Sequence, residues 1–169
     1  LGGILDGNGA ARLPSKLVRE DKIATSVGAS YDSTVRGPGL FYLSGTPVAG
    51  RSAAEIEQAL KRELQRVADE GVSEDELKRV KAQVMAAQVF QRDSMFYQGM
   101  QIGMLEMAGI SHNTVDLQLE RLRGVTAAEV QAVARKYFND DRLTVATLDP
   151  QPLSGNKPAA PSAGVRHAQ

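Results

Sequence analysis

The sequence contains no cysteine among its 169 residues and only two histidines. The lack of cysteine excludes disulfide bridges, thiolate ligands for zinc or iron–sulfur clusters, and cysteine nucleophiles. It leaves the compartment open, so a periplasmic and a cytoplasmic location are both compatible with the sequence. Histidine-based zinc sites need spacings such as His-x-x-Glu-His or His-x-x-x-His, which His112 and His167 do not form. We expect no metal site in this chain and interpret both histidines as solvated.

An excess of one charge and long apolar runs are also absent. The 20 Lys and Arg residues balance the 20 Asp and Glu residues, so the formal net charge is zero. Nucleic-acid-binding domains usually carry a basic excess, so no nucleic-acid partner is expected. Lys78, Arg79 and Lys81 beside Arg66 are interpreted as a solvated helix face, because acidic residues are interleaved with them. No apolar run approaches the roughly 20 residues that span a bilayer, so we expect a soluble domain.

A hydrophobic content of 42% over this length is enough for one domain with its own core. Three helix starts share one signature, a Ser or Thr followed three residues later by Glu, which is typical of a capping box. The pairs are Ser52 with Glu55, Ser73 with Glu76, and Thr126 with Glu129. Two further helices are predicted at about 93–107 and 114–123. The glycines of LGGILDGNGA indicate the end of one helix and a turn into the next.

Apolar residues recur at helical spacing behind each start and should face a core. These stripes are Ile56, Leu60, Leu64 and Val67; Leu77, Val80 and Val84; and Val130, Val133, Ala134 and Tyr137. A softer apolar cluster comprises Phe90, Met95, Phe96, Tyr97, Met100, Met104 and Met107. We interpret this cluster as core packing, with a partner-docking or peptide-contacting surface as the alternative.

A period-two pattern predicts a strand at 24–31, and aromatic and apolar content predicts one at 40–46; the two form a hairpin around Arg36-Gly37-Pro38-Gly39. A third strand is predicted at 143–148, and Pro150 ends it. Helices over few strands predict an α+β domain with the helices on one face of the sheet. We place this domain at 1–150 and a disordered tail at 151–169, where Pro, Ser and Ala dominate. Because the chain opens on Leu1 without a helix cap, we expect further strands to lie before it. No Gly-x-Ser-x-Gly elbow is present, and no catalytic residue is predicted.

Several separated segments resemble the C-terminal domain of the M16 family, the pitrilysin- or insulinase-like zinc peptidases that include the mitochondrial processing peptidase. They are LGGILDGNGAARLPSKLVRE with ATSVGASY, then GLFYLSGT, GVSEDELKRVKAQV and GVTAAEVQAVARKYFNDDRLTVATLDP. The resemblance implies a two-layer α/β sandwich with a mainly antiparallel sheet, as in LuxS- and mitochondrial-processing-peptidase-like metallohydrolases. Its first strands would precede Leu1.

In this family a first domain binds zinc through His-x-x-Glu-His and a later Glu, and a second, inactive domain helps to close a chamber around an extended peptide. This chain resembles the second domain. The resemblance implies no cofactor here, zinc in the preceding domain, that domain as a partner, and a second M16-like subunit forming a homo- or heterodimer. The chain alone would then be no enzyme. The alternative is a wholly non-catalytic scaffold subunit, like the core proteins of respiratory complexes.

Some family members supply an Arg and a Tyr from the second domain, within the pattern Leu-Arg-Glu-x-x-Gly-Leu-Ala-Tyr-Ser-Val. Matched to LVREDKIATSV, the Arg position is occupied by Val18 and the Tyr position by Thr25. A shift by one residue aligns Arg19 but places Ser26 at the Tyr position, so neither register restores the pair. Valine offers no charge to an oxyanion, and a threonine hydroxyl is less acidic than a phenol. Arg19 is expected in a surface ion pair, and Tyr31 is expected to pack with its strand.

Overall fold

The computed structural model describes residues 1–150, so the predicted tail, 151–169, and His167 lie outside the described residues. Within that range a two-stranded antiparallel sheet is combined with six α-helices, a π-helical segment and a 3-10 turn, which confirms the predicted α+β class. In chain order the elements are α1 (Gly2–Asp6), the π-helical segment (Pro14–Glu20), β1 (Ala24–Tyr31), β2 (Phe41–Pro47), α2 (Ala53–Glu70), α3 (Glu74–Gln91), α4 (Met95–Met107), α5 (Thr114–Gly124), α6 (Ala127–Tyr137) and the 3-10 turn (Asp140–Arg142).

The predicted hairpin is confirmed. Tyr31 pairs with Phe41 beside the loop, and the antiparallel register continues to Ser26 opposite Thr46. The register then shifts between Ala24 and Ser26, which leaves Thr25 as the extra residue of a β-bulge. One face of the hairpin packs on the core, while Tyr31, at the loop end of that face, stays 56% exposed.

The predicted helix starts are also found, with one difference. Ser52 and Thr126 form complete capping boxes with Glu55 and Glu129. At α3, Ser73 accepts a hydrogen bond from the backbone N–H of Glu76 at 3.2 Å, but the Glu76 carboxylate does not reach back. The Glu76 carboxylate instead forms an ion pair with Arg12 of the N-terminal segment. The charged Arg12 side chain therefore binds the carboxylate that would otherwise complete the capping box.

The core lies between one face of the hairpin and the helices. Helix α2 packs on β2 and α6, while α1 and the π-helical segment pack on β1. Gly45 permits the close approach of α2, because a Cβ at that position would lie 2.4 Å from the Ile56 side chain. The buried residues that form this core cluster are Ile4, Leu5, Leu13, Leu17, Ala24, Ile56, Ala59, Leu60, Val67, Ala68, Leu77, Val130 and Ala134. Of the stripe predicted on α2, Ile56, Leu60 and Val67 are buried, and Leu64 is partly buried against the same cluster.

The buried face of α6 is narrower than predicted. Val130 and Ala134 are buried, but Val133 and Tyr137 are 43% and 47% exposed. The main contact of α6 is with α2, and a single neighbouring helix covers only the central row of its side chains. Tyr137 lies beneath the cations of Lys136 and Arg142, at 5.1 and 5.4 Å from the ring centroid.

The strand predicted at 143–148 is wrong for the described structure. These residues form no strand, and Leu148 is 87% exposed. A strand needs a neighbouring edge for its backbone hydrogen bonds. At the outer edge of β1 the backbone N–H of Ala29 instead donates to the Asp6 carboxylate of α1, at 3.1 Å. That donor is therefore not available to a third strand.

The second half of α3, with α4 and α5, extends away from this core. We call residues 85–124 the helical arm. Of its residues, all of which the structure describes, only Leu105 is buried. The prediction that the Phe and Met cluster packs in the core is therefore wrong. Phe90, Phe96 and Met107 are 75–80% exposed, because no second layer of the described chain lies over them.

Candidate functional site

The candidate site is the turn from the π-helical segment into β1, where the family pattern places its Arg and Tyr. The segment is anchored by Leu13 and Leu17, which are 0% and 1% exposed. Its wide turn is closed by a hydrogen bond from the Asp21 N–H to the Lys16 carbonyl at 2.8 Å, five residues back. Such turns are rare and often occur at functional sites. The sequence contains no pattern that distinguishes this π-helical turn from an ordinary α-helix.

Val18 lies on this segment, partly buried and packed against the core cluster. Its side chain is apolar, so it offers no donor to a peptide or to a developing negative charge. Its environment is that of a packing residue.

Thr25 lies at the bulge of β1 and is exposed. Its hydroxyl donates to the Thr46 carbonyl across the sheet, at 3.2 Å. This hydrogen bond uses the one O–H that a threonine can donate. Val18 and Thr25 are thus held on one short segment, but one packs inward and the other bonds within the sheet.

The residues of the shifted register are placed differently. Arg19 is exposed, and its guanidinium donates to the Gly9 carbonyl, so the expected ion pair is replaced by a hydrogen bond to backbone. Ser26 is an exposed residue in the regular part of the hairpin. These two residues do not reproduce a charged group beside a phenol.

Lys22 supplies independent support for the first register. Its φ of 51° makes it the one described non-glycine residue with a positive φ. In the register that places Val18 and Thr25 at the Arg and Tyr positions, Lys22 falls on the glycine of the family pattern. Glycine adopts this left-handed conformation without the steric cost that a Cβ imposes. The glycine of the family pattern is thus the sequence signal for a left-handed residue at this position.

Charged groups near the turn fix its position. Arg12 binds Glu76 of α3 through two hydrogen bonds, at 2.9 and 2.8 Å, and also donates to the Gly71 carbonyl at 3.0 Å. The Lys16 ammonium contacts Asp21 at 2.9 Å, and this hydrogen bond raises the pKa of Lys16. The Arg12 contacts hold the residues before the turn against the start of α3, whereas the Lys16–Asp21 pair lies within the turn itself. Neither pair presents a free nucleophile or base.

A cleft of about 450 Å³ lies beyond this turn, between the start of α3 and the end of α5. Acidic Glu74 and Asp75 share its walls with basic Lys78, Lys81 and Arg123, so the cleft does not favour ions of one sign. The Lys81 ammonium is bound to the Arg123 carbonyl at 2.8 Å. The cleft is remote in sequence from Val18 and Thr25 and adds no catalytic group to them.

The described residues do not fit a zinc ion. His112 is exposed, as predicted, and its Nδ1 lies 2.7 Å from the Glu106 carboxylate. Hydrogen bonds from the His112 backbone and ring lower the pKa of Glu106. No three His, Asp or Glu side chains within residues 1–150 converge as a ligand group. In the same range, no helix combines the length and apolar character that crossing a bilayer requires.

Residues 1–84 match the peptidase M16 inactive domain, a stretch that includes both strands, α1, α2 and the first part of α3. The chain belongs to the M16 peptidase family. By this match it is an inactive peptidase domain and is not catalytic by itself. The resemblance drawn from the sequence motifs is thereby confirmed. None of the curated proteins matches the chain in sequence.

Solved structures share the M16 fold of this chain. A protease from Helicobacter pylori matches 83% of the chain with a TM-score of 0.79 at 13% identity, and this chain spans only 34% of that protease. A candidate zinc protease from Bordetella pertussis Tohama I matches 83% of this chain and 77% of its own, with a TM-score of 0.72 at 22% identity. The inactive peptidase domain of a candidate zinc protease from Bordetella parapertussis matches 90% of this chain and 82% of its own, with a TM-score of 0.75 at 22% identity.

Proposed function

We propose that this chain is the non-catalytic C-terminal domain of a zinc metallopeptidase, in which it packs against a zinc-bearing N-terminal domain. Together the two domains enclose an extended peptide substrate. The observation that carries this proposal is the match of residues 1–84 to the M16 inactive domain. In this division of labour, zinc and the activation of water belong to the preceding domain.

The candidate site supports an architectural role. An oxyanion is stabilised by donors that point at it before the reaction begins. Val18 has no donor, and the Thr25 hydroxyl already donates to Thr46 within the sheet. If the peptidase uses an Arg and Tyr pair, the pair comes from a partner subunit with an M16-like domain.

The solvent face of the hairpin is the surface that we assign to the chamber wall. Side chains alternate between the two faces of a strand, so Ser26, Ser30, Ser44 and Thr46 share the face opposite to the core. All four are exposed, and their hydroxyls can each donate and accept hydrogen bonds. Tyr42, opposite Ser30, lies on the same face and is 60% exposed, so the small hydroxyl side chains are accompanied by one exposed aromatic ring. Neither strand carries a charged side chain, which suits an extended peptide of variable sequence.

The second candidate is a scaffold subunit whose parent has no peptidase activity. The replacement of both pattern residues by Val18 and Thr25 favours it, since a scaffold has no need of either group. The residues that precede Leu1 in the parent protein separate the two: His-x-x-Glu-His supports the peptidase, and its absence supports the scaffold.

The parent protein provides the decisive assay. We expect deletion of residues 1–150 to abolish or strongly reduce peptide cleavage while the zinc content of the remaining protein is retained. The variant Thr25→Val removes the hydroxyl at the Tyr position, and we expect it to leave cleavage within about twofold, since that hydroxyl has no catalytic role. Full cleavage without residues 1–150 would contradict the proposal, as would a large loss in Thr25→Val with an unchanged melting temperature.

A further inference from the structure

A carboxylate without a cationic partner lies beside the solvent face of the hairpin. Asp6, the last residue of α1, reaches the outer edge of β1, where its Oδ2 accepts the hydrogen bond from the Ala29 N–H at 3.1 Å. Within residues 1–150 this partly buried carboxylate makes no other hydrogen bond and no ion pair. An ionised carboxylate has about four acceptor sites, so Asp6 retains both its negative charge and room for further donors.

Gly28 leaves a notch in the solvent face next to this carboxylate. A Cβ at Gly28 would lie 2.8 Å from the Ser44 hydroxyl oxygen and 3.7 Å from Asp6 Oδ2. The two oxygens therefore flank the same position on the sheet, although they come from different elements. The Ser44 side chain is exposed, and in the described part of the chain it makes no hydrogen bond. A carboxylate and a hydroxyl are thus both open to a donor that enters the notch.

Tyr42 adds an aromatic ring to the same surface. It precedes Ser44 by two residues on β2, so the two side chains project from one face about 7 Å apart. The Tyr42 side chain is free to lean towards the notch, because no ring contact holds it within the described residues. A guanidinium is bound by this set of groups, since the carboxylate and the hydroxyl accept its N–H donors and the ring face attracts its charge.

The chemistry of the notch selects among possible occupants. An anionic side chain would be repelled by Asp6, and an apolar side chain would cover the carboxylate without offering it a donor. A calcium ion takes about six to eight oxygen ligands, more than one carboxylate and one hydroxyl supply. Arginine fits best, because its planar guanidinium carries five donors and also stacks on aromatic rings, whereas the lysine ammonium is a compact, strongly hydrated charge.

We propose that the notch at Gly28 is a subsite for an arginine side chain of the extended peptide. Asp6 and Ser44 accept its hydrogen bonds, and Tyr42 stacks on its guanidinium. This subsite rests on the proposed chamber wall, because the peptide has to lie along the solvent face for its side chain to reach the notch. The two strands carry no charged side chain, so the subsite adds a preference at one position of a peptide whose other positions meet neutral groups.

Peptide cleavage by the parent protein tests this preference. The probes are peptides with an acetylated N-terminus, in which a single arginine is moved along an uncharged sequence and compared at each position with citrulline, its uncharged isostere. We expect one position at which arginine raises kcat/KM at least about tenfold over citrulline, because a hydrogen bond between two charged groups is stronger than one between neutral groups. The acetyl group excludes recognition through the ammonium of the peptide N-terminus.

Asp6→Asn separates recognition from the contact of Asp6 with β1, since an amide oxygen still accepts the hydrogen bond from Ala29. We expect the ratio of kcat/KM for arginine over citrulline to fall to about twofold or less in this variant. It should also fall in Gly28→Ala, whose methyl group occupies the notch. Asp93→Asn, which neutralises an exposed carboxylate of the helical arm, is the matched control and should keep the ratio of the unmodified protein. Melting temperatures establish that each variant is folded.

Nuclear magnetic resonance on the 169-residue chain separates failure of the subsite from failure of the peptidase role. The peptide acetyl-Gly-Arg-Gly-amide should shift the backbone amide signals of Gly28, Ala29 and Ser44 saturably, whereas its citrulline counterpart should not. The shifts should be lost in Asp6→Asn. If the parent protein cleaves no peptide but these shifts occur, the peptidase role fails and the subsite stands.

Three results would overturn the subsite while leaving the peptidase role intact. They are cleavage without a preference for arginine at any position, a preference that survives in Asp6→Asn, and equal shifts with the arginine and citrulline peptides. Absence of both cleavage and these shifts would overturn the subsite and the peptidase role together.

Discussion

The hairpin with α1, α2 and α6 differs from the helical arm in how its apolar residues are used. In the first region, Leu5, Leu13 and Val67 are completely buried between the sheet and the helices. In the arm, Val89, Phe90 and Phe96 are 62–79% exposed although the sequence is just as apolar there. Amphipathic patterning shows that a face must be covered, but the covering layer has to be present in the same chain for that face to become core.

The largest difference in stability between the two regions should appear when one apolar side chain in each is truncated to alanine. Leu13→Ala removes a side chain that is 0% exposed and should lower the free energy of unfolding by about 2–5 kcal/mol. Phe90→Ala removes a larger side chain that is 75% exposed and should change it by no more than about 0.5 kcal/mol. Denaturant unfolding of the two variants measures both values. Similar losses would mean that the arm is packed as tightly as the core.

Two ion pairs provide the next comparison. Arg12 and Glu76 form a bidentate pair whose side chains are 20% and 16% exposed, whereas those of Arg92 and Asp116 in the arm are 50% and 78% exposed. Arg12→Leu leaves a largely buried carboxylate without its partner and should cost about 1–3 kcal/mol. Arg92→Leu breaks a solvated pair and should cost less than about 1 kcal/mol. Chemical denaturation at low protein concentration measures the free energy of unfolding of both variants. A larger loss in Arg92→Leu than in Arg12→Leu would contradict the burial of the two pairs.

Acidification should destabilise the capped N-termini of α2 and α6. Hydrogen bonds from Ser52 and Thr126 lower the pKa of Glu55 and Glu129 in the folded protein. Each carboxylate therefore stabilises the fold fully above the pKa of an unfolded Glu, about 4.3, and this contribution disappears as the pH falls through the lower folded pKa. Melting temperatures from pH 7 to 3 should fall less steeply for Glu129→Gln than for the unmodified chain. Parallel curves would show that the cap makes no pH-dependent contribution.

The smallest effect concerns Lys22, at the start of β1. Lys22→Gly relieves a left-handed conformation and should change stability by between zero and a gain of about 1 kcal/mol, because glycine also loosens the unfolded chain. Lys22→Val places a β-branched side chain there and should cost at least about 1 kcal/mol. Differential scanning calorimetry of the two variants and the unmodified chain measures these differences in stability. Destabilisation by Lys22→Gly would mean that the lysine side chain makes a compensating contact.

The elements that depend on local chemistry were predictable from the sequence. The hairpin follows from the period-two pattern of Val27 and Ala29 and from the glycine-rich loop, and the bounds of α2 and α6 follow from Ser52 and Thr126. These signals act within a few residues, so they do not depend on the rest of the fold.

Features that depend on distant partners were not predictable in the same way. Residues 143–148 have the composition of a strand but pair with no strand in the described structure. The Glu76 carboxylate is bound by Arg12, which is far from it along the chain. At the candidate site, the positions of Val18 and Thr25 came from the family pattern, whereas the π-helical turn that carries Val18 has no sequence signature. Packing and competition for partners decide such features.

The most direct test of the non-catalytic account is to measure zinc content and peptide hydrolysis on the purified 169-residue chain. The account predicts no tightly bound zinc, and no cleavage of an extended peptide above the buffer rate, with or without added zinc. Stoichiometric tight zinc together with cleavage that a chelator abolishes would contradict it.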